Sequence, residues 1–390
     1  MAAQNNQTAV VVGAGIIGAA SAYFLSQAGF AVRVLDVAAP AAAASGSADG
    51  AVSVASKRPG AMMQAAIAGV ETYRALSASG LLDGLFKERS TYMVAQDADE
   101  DAVLEQHAAA LTGCGVDVHR RAGRDLKETM PVVSPAVRSA IEVRGEGHAI
   151  GYEIVNRLLL ASGAEILRGC EVRSVRTAAG AASIAALDTT AGPLEADIYV
   201  LAAGGGSAAL LGLDGVLRPR KGQLLVTERA PRLNAGLPGS LMSCRYLMSK
   251  DSTDVRMTTA GRRFGLVVDP LRTGQFLIGG TREETDRRDT DLAAVRLLLG
   301  EAVSLVPGLA SVRLLRTFAG VRTATADGRP LIGHAPGFDN LLVATGFEGD
   351  GICLGPLTGR IVSQLARASR PQIDLAPFDP ARFAAQRQAA

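Results

Sequence analysis

An α/β chain of two interleaved domains is what the sequence predicts, and three observations predict it. A short β-branched and apolar run, Thr8 to Val12, stops at a glycine cluster that opens a helix, the form of a strand buried on both faces. Glycine is unusually abundant, with 44 in 390 residues against the ~7% of average proteins, so parts of the backbone must approach something closely. Two stretches of different pattern, Ser90–Arg144 and Arg218–Arg316, interrupt segments that share the composition of the opening. The length itself exceeds the usual ~50–250 residues of one domain.

Taken in order, Ile16 to Gln27 has helical spacing and ends before Gly29, and Ala31 to Leu35 is a second buried strand ending at Asp36. Strand, turn, helix, strand make one βαβ unit. Ala38 to Gly50 is an Ala/Ser/Gly loop, and Gly60 to Leu76 returns to helical spacing. In the first interrupting stretch Thr91 to Ala95 is strand-like and Ala98 to Leu111 is a charged helix. Ile154–Leu160 is helical, Glu165–Val175 and Ile198–Ala202 are strands, and Gly204–Gly206 follows. The second stretch holds strands at Gln223–Thr227, Leu266–Val268 and Phe276–Ile278 and a helix over Leu292–Val306. Asn340 to Gly359 is again strand, glycine turn and helix, with the helix expected from about Pro356 to Ala368. No internal repeat is present.

Composition removes several function classes. Hydrophobic residues at 48% and charged residues at 20% are a globular balance, not a disordered one. A net charge of +2, no basic tail and no Trp argue against nucleic acid as a partner. Cys114, Cys170, Cys244 and Cys353 lie far apart without CxxC spacing, so no metal or iron–sulfur site is expected from this chain alone, and the thiols read as buried in a reducing compartment. Met1 to Thr8 is polar and lacks signal-peptide features, which makes cytoplasmic residence the default expectation. The apolar stretch Ala9 to Leu25 is cut by three glycines and does not read as a transmembrane span.

Gly13-Ala14-Gly15-Ile16-Ile17-Gly18 is GxGxxG between a buried strand and a helix. The first glycine permits the tight turn, the second lets backbone approach a pyrophosphate, and the third lets the helix pack closely on the strand. Free N–H groups at the helix start receive the phosphate charge. Asp36, at the end of the next strand, is the expected acceptor for ribose hydroxyls and disfavours a 2′-phosphate, hence NADP. The unit alone leaves NAD and FAD open.

Beyond this motif the sequence resembles the D-amino-acid-oxidase-like superfamily of FAD enzymes essentially from end to end. Ser45-Gly46-Ser47-Ala48-Asp49-Gly50-Ala51 is similar to the family's loop beside the pyrophosphate and flavin, and Glu171-Val172-Arg173 to the strand that lays backbone on the adenine. Ala202-Ala203-Gly204 resembles the glycine turn near the ribityl chain. Ala319-Gly320-Val321-Arg322 through Asp327-Gly328-Arg329-Pro330-Leu331-Ile332-Gly333 resembles the AGLRP…DGxPxIG signature. Ala344-Thr345-Gly346-Phe347-Glu348-Gly349-Asp350-Gly351-Ile352 resembles the flavin-side loop, and Glu348–Ile352 followed by Leu354–Gly359, together with Phe276–Glu283, is similar to β subunits of heteromeric opine oxidases, hydroxyproline and proline dehydrogenases, and cyanide-forming glycine dehydrogenase. Gly206 stands where Trp is common, Phe347 where His is common, Thr323 where Pro usually follows the Arg, and Asp36 where Glu is more usual.

The resemblance implies a Rossmann-like FAD-binding domain made of residues 1–88, 147–217 and 317–390, interleaved with an α+β substrate domain of residues 89–146 and 218–316 on a mainly antiparallel sheet. It implies oxidation of an amino or imino acid to the imine, with hydride passing from the α-carbon to flavin, in an assembly whose other subunits carry an iron–sulfur centre and a second nucleotide fold. Two alternatives stand beside it: a stand-alone oxidase using oxygen, and an FAD-holding subunit without chemistry. Arg322 is expected to grip the substrate carboxylate with its planar fork, unless an internal acid such as Asp327 claims it. Tyr246 and Arg245 are candidates to cap the pocket. Lys57, one of five lysines, is a second candidate, although a solvated loop cation is the plainer expectation for it. The Gly349–Ile352 turn is expected to present helix N–H groups to the charge of a reduced flavin. None of His107, His119, His148 and His334 reads as catalytic.

Overall fold

A computed structural model describes residues 7–177, 182–212, 215–251, 258–259 and 262–383, so most of the polar start read above lies outside the described residues. Six strands form one sheet in the order Leu331–His334, Leu341–Thr345, Ile198–Leu201, Thr8–Val12, Ala31–Asp36, Glu165–Arg168. Neighbours are parallel except the Leu331–His334 edge strand. The central strand is buried on both faces, as its unbroken apolar run predicts. Ala9 and Val11 pack with Ile16, Ile154 and Ile361 of the helices Ile16–Gln27, Gly151–Ser162 and Gly351–Ala366, whereas Val10 and Val12 pack with Ile184 and Leu187 on the opposite side. That second face is covered by a three-stranded antiparallel sheet, Val172–Thr177, Ile184–Thr189 and Gly192–Leu194.

The strand expected over Glu165–Val175 is therefore two strands in different sheets. Gly169, at φ +65°, turns the chain between them, and the Cys170 amide donates to the Asp36 carbonyl at 3.0 Å. The apolar alternation carried across this corner because both strands face the same core.

Both interrupting stretches join a single large sheet in the order Leu314–Thr325, Leu217–Thr227, Phe276–Arg282, Arg262–Pro270, Ser240–Ser243, Thr91–Ala95, Ser139–Val143, Val118–Ala122. All neighbours pair antiparallel except Ser240–Ser243 with Thr91–Ala95. The helix Leu292–Leu305 seals one face through Val295, Leu298 and Ala302. Leu314–Thr325 pairs with Leu217–Thr227 from Leu217↔Thr325 to Thr227↔Leu314, so residue 317 falls inside a strand of this sheet.

The last helix starts at Gly351, five residues before the expected start, and Pro356 lies inside it instead of in its first turn. Proline removes the N–H that would bond the Ile352 carbonyl. The buried Tyr73 hydroxyl, from the helix Ala61–Ala78, donates to that carbonyl at 2.8 Å and supplies the missing partner. This early start is what brings the glycine turn and the helix N-terminus to the cleft described below.

Glu146, just before the small strand Gly147–Ala149, is 1% exposed. Its Oε1 accepts from the amides of Val54 at 2.5 Å and Ala55 at 2.6 Å, and its Oε2 from the Ser53 hydroxyl at 2.9 Å. Burial pushes its pKa up to about 7, more than these donors lower it. A folded value above the ordinary 4.5 means that stability falls as pH rises from about 4.5 to about 7 and stays reduced above that window. Glu146→Gln keeps an acceptor for both amides, since its oxygen can occupy the Oε1 position. It is expected to match the wild type at pH 4 and exceed it by about 3 kcal/mol at pH 8 in urea denaturation. Equal stability at pH 8 would contradict the burden assigned to Glu146.

Cys170, Cys244 and Cys353 are buried and free, but Cys114 is exposed, contrary to the expectation of four buried thiols. Among the described residues there is no group of three or more side chains able to hold a metal, and no helix is long and apolar enough to cross a membrane.

Candidate active site

The glycine motif builds the nucleotide end. Gly13 has φ +103°, and a Cβ there would fall 2.5 Å from the Ala202 carbonyl oxygen. A Cβ on Gly18 would fall 1.8 Å from the Gly13 oxygen, so helix and turn touch through it. Gly15 is different: only the Ser45 Oγ lies near its missing Cβ, at 3.1 Å. The amides of Gly15, Ile17 and Gly18 have no hydrogen-bond partner among the described residues. Three orphan donors at the start of a twelve-residue helix, beside an open glycine, fit a pyrophosphate.

Asp36 ends its strand where the sequence places it, and its carboxylate also holds the turn. Oδ2 accepts from the Ala14 amide and Oδ1 from the Ala38 amide, both at 2.8 Å. Ser45 Oγ accepts from the Ile16 amide at 2.9 Å and so caps the same helix. Gly46 and Gly50 are packed tightly, with missing-Cβ positions 2.1 Å from the Ala41 oxygen and 2.6 Å from the Ala149 oxygen. Ala51 begins a short strand paired to His148. Ala203 follows the central-sheet strand Ile198–Leu201, and the Gly204 carbonyl accepts from Thr345 Oγ1 at 2.9 Å. Val172 opens its own strand just after the Cys170–Asp36 contact.

An open cleft lies between this end and the large sheet. Ile16, Ser45, Gly349, Asp350, Gly351 and Ile352 line it from the dinucleotide side. Tyr246 and Arg322 line it from the other. The remaining motif residues, including Gly13, Gly18, Asp36 and Val172, stand outside its wall and shape the adjoining turn and sheet.

Arg322 occupies space that Gly222 leaves open, with Gly280 in van der Waals reach beside it. A Cβ on Gly222 would fall 2.2 Å from its Nη2, and one on Gly280 would fall 3.7 Å from it. Gly222 faces Gly320 across paired strands, so glycine within the sheet makes a bed for the guanidinium. Asp327 does not claim Arg322, because it pairs with Arg329 and Arg382, each at 2.9 Å. Arg322 instead shares Glu348 with two other arginines: Glu348 Oε1 lies 3.2 Å from Arg220, 3.8 Å from Arg322 and 3.9 Å from Arg282. Burial alone would raise Glu348, yet the three guanidiniums hold it down to about 2. Arg220 also pairs with Glu284 at 2.8 Å and stands outside the cleft, so on the cleft wall two guanidiniums, Arg282 and Arg322, face one shared carboxylate and leave room for a second anion. Arg282 also stacks over the Tyr246 ring at 4.6 Å, fixing the candidate cap.

Lys57 is not the solvated loop cation the sequence suggested. It is 8% exposed and hydrogen-bonded to Asp350; burial is the largest single influence and lowers the lysine pKa, but the charge and hydrogen bond of Asp350, with Tyr246 and Cys353, together raise it. Asp350 lines the cleft, so Lys57 acts from behind it. Arg245 pairs with Glu100 at 2.9 Å and Glu301 at 3.3 Å and does not line the cleft. Sequence reasoning missed Arg282, Glu348 and Gly222 as site residues. The one local signal was a glycine inside an alternating strand, at Gly222.

Orphan helix amides on one side and a guanidinium-lined antiparallel sheet on the other are the arrangement of a dinucleotide-binding protein whose cleft accepts an anion. The chain belongs to the FAD-dependent oxidoreductase family, whose profile, described as FAD dependent oxidoreductase, matches residues 8–365. It is similar to glycine oxidase of Geobacillus kaustophilus, 27% identical over 387 residues that cover 95% of this chain and 96% of that protein. It is also similar to hydrogen cyanide synthase subunit HcnC of Pseudomonas aeruginosa, 29% identical over 80% of this chain and 71% of that protein. Among solved structures, glycine oxidase from Geobacillus kaustophilus superposes with a TM-score of 0.84 at 25% identity, covering 97% of this chain and 99% of that one. L-proline dehydrogenase from P. horikoshii also gives 0.84, at 20% identity and 98% coverage of both chains, a likeness of fold. The protein is thus an FAD-dependent oxidoreductase.

Proposed function

We propose that the chain oxidises an amino or imino acid of the D-hydroxyproline, proline or opine type to the corresponding imine, as catalytic subunit of a hetero-oligomeric dehydrogenase. The observation that carries the reading is Arg322, bedded between Gly222 and Gly280 on the cleft wall opposite the helix N-termini, with Glu348 shared among three arginines. A planar guanidinium there matches a carboxylate bidentately. Gly13, Gly15 and Gly18 would hold the FAD pyrophosphate, and Gly349–Ile352 would lie towards the flavin. Bound FAD supplies the hydride acceptor.

The chain's own residues then position and stabilise. Arg322 fixes the substrate carboxylate and so the face its α-carbon presents. Arg282 holds the Tyr246 ring and its share of Glu348, which keeps the pocket wall rigid. The amides of Gly351, Ile352 and Cys353 have no partner among the described residues and offer donors to negative charge that develops in the cleft. An iron–sulfur centre would belong to another subunit, a reading that the similarity to a hydrogen cyanide synthase subunit supports.

The test is anaerobic flavin reduction by the purified FAD-loaded chain with D- and L-proline, cis- and trans-hydroxyprolines, opines, sarcosine, glycine and D-alanine. Rapid bleaching by an imino acid or opine, with little peroxide in air, is the expected result. Fast peroxide release by the chain alone would favour the second reading, a stand-alone oxidase, which the end-to-end similarity to a glycine oxidase supports. Bound flavin that no compound bleaches would mark a non-catalytic subunit.

A further inference from the structure

We propose that Asp49 receives the substrate amine: it binds the ammonium of the amino or imino acid whose carboxylate lies on Arg322, and takes one proton from it before hydride leaves the α-carbon. The inference rests on the amino-acid reading of the cleft.

Asp49 lies in the loop that joins the glycine-rich turn to the Ala51–Val52 strand, and it lines the same cleft as Arg322. Its Oδ1 accepts from the Ala51 amide at 3.2 Å, while its Oδ2 has no hydrogen-bond partner among the described residues. In an α-amino acid the nitrogen stands only about 2.5 Å from the carboxyl carbon, so a carboxylate anchor and an ammonium acceptor must be neighbours. Arg322 is near enough for its charge to act on the Asp49 carboxyl.

The other ionisable groups around Asp49 are committed elsewhere. Asp269, on the strand Arg262–Pro270, is held by Arg89 at 2.5 Å and by Ser240 Oγ at 2.5 Å. His148 is pushed towards its neutral form by burial and by Arg89, and its Nε2 donates to the Asp49 carbonyl at 2.8 Å. Glu348 is ionised at any working pH and shared by three arginines, and Asp350 is bound by Lys57. Asp49 lines the cleft with its proton affinity raised, through burial first and the Asp269 charge second. A carboxyl with a raised pKa is a better base than an ordinary aspartate.

The step balances as a proton transfer. One N–H bond of the ammonium breaks, its proton passes to Asp49 Oδ2, and the electron pair stays on nitrogen. That lone pair can then form the C=N bond as the hydride departs with its two electrons to FAD. The proton returns to solvent through the cleft mouth once the imine has left.

Two ligands that differ only by the amine test the site without turnover. 2-Aminoisobutyrate has no α-hydrogen to give, and isobutyrate lacks the ammonium. Binding to the FAD-loaded protein is read from the shift in flavin absorption. The wild type is expected to bind 2-aminoisobutyrate at least about tenfold more tightly, as a charge-assisted bond warrants, and Asp49→Asn to bring the ratio close to one. Asparagine keeps the acceptor for the Ala51 amide, and flavin content reports folding. In turnover of whichever panel compound bleaches the flavin, kcat/KM of the wild type should rise with pH as Asp49 ionises. In Asp49→Asn that limb should be replaced by one set by the substrate amine, so that kcat/KM falls about 100-fold near pH 7.5 and recovers only at high pH, where the free amine arrives already neutral. Equal or absent binding of the two ligands by the wild type, or a ratio and acid limb that survive unchanged in Asp49→Asn, would overturn the proposal. Panel compounds that bleach the flavin without this preference would remove Asp49 and leave the functional reading intact. A preference without any bleaching would do the reverse.

Discussion

Arg322→Met raises KM for the amino-acid substrate about 100-fold and leaves FAD bound, as expected for loss of a bidentate carboxylate contact. Methionine keeps much of the apolar stem and fits over Gly222 and Gly280, so the sheet is undisturbed and the missing part is the fork. Glu348 lies 3.8 Å from the Arg322 Nη1 and keeps Arg282 and Arg220 as partners, so the variant strands no carboxylate. If Arg322 also sets the angle at which the α-carbon is presented, kcat falls together with the rise in KM. Steady-state kinetics with flavin content measured on the same sample decides this. An unchanged KM would mean that the carboxylate sits elsewhere, and Arg282 would be the next cation on that wall.

How far the site could be read from the sequence follows from how local its parts are. The βαβ unit was legible because strand, glycines, helix and Asp36 lie within thirty-odd residues, each with its own signal. Arg322 was legible through its motif, but not its surroundings. Its bed comes from Gly222 and Gly280 and its acidic neighbour from the turn at Glu348, three segments that only strand pairing brings together. Lys57 was misjudged because its partner Asp350 is 293 residues away, and an isolated lysine in a loop otherwise reads as solvated. Pro356 misled the helix start because nothing near it announces Tyr73, which replaces the lost backbone donor. Glu348 adopts φ +47°, a backbone region that disfavours a side chain with a Cβ, and no pattern of residues signals such a choice.

The three glycines of the motif should separate when substituted, because the fold needs two of them and the ligand needs the third. In Gly18→Ala the new Cβ would lie 1.8 Å from the Gly13 oxygen, a backbone atom with nowhere to go, so the helix must lift off the central strand. Overpacking of this kind costs about 1–3 kcal/mol or more, and a marginally stable protein loses much of its folded fraction. Gly13→Ala adds a φ of +103° to a 2.5 Å contact with the Ala202 oxygen, and is expected to be at least as harmful. Gly15 has φ −74°, which any residue adopts, and its Cβ would meet only the Ser45 Oγ at 3.1 Å, a contact relieved by a shift of a few tenths of an ångström that need not release the Ile16 amide it caps. Gly15→Val should therefore fold, with a melting temperature near that of wild-type apoprotein. Its side chain would stand over the orphan amides of the helix start and exclude the phosphates, so FAD affinity falls by about 100-fold or more. Thermal denaturation of the apo forms and FAD titration by fluorescence quenching give the two readouts separately. A Gly15→Val protein that bound FAD like the wild type would place the pyrophosphate away from this turn, and a Gly18→Ala protein of undiminished stability would show that helix and turn can part without cost.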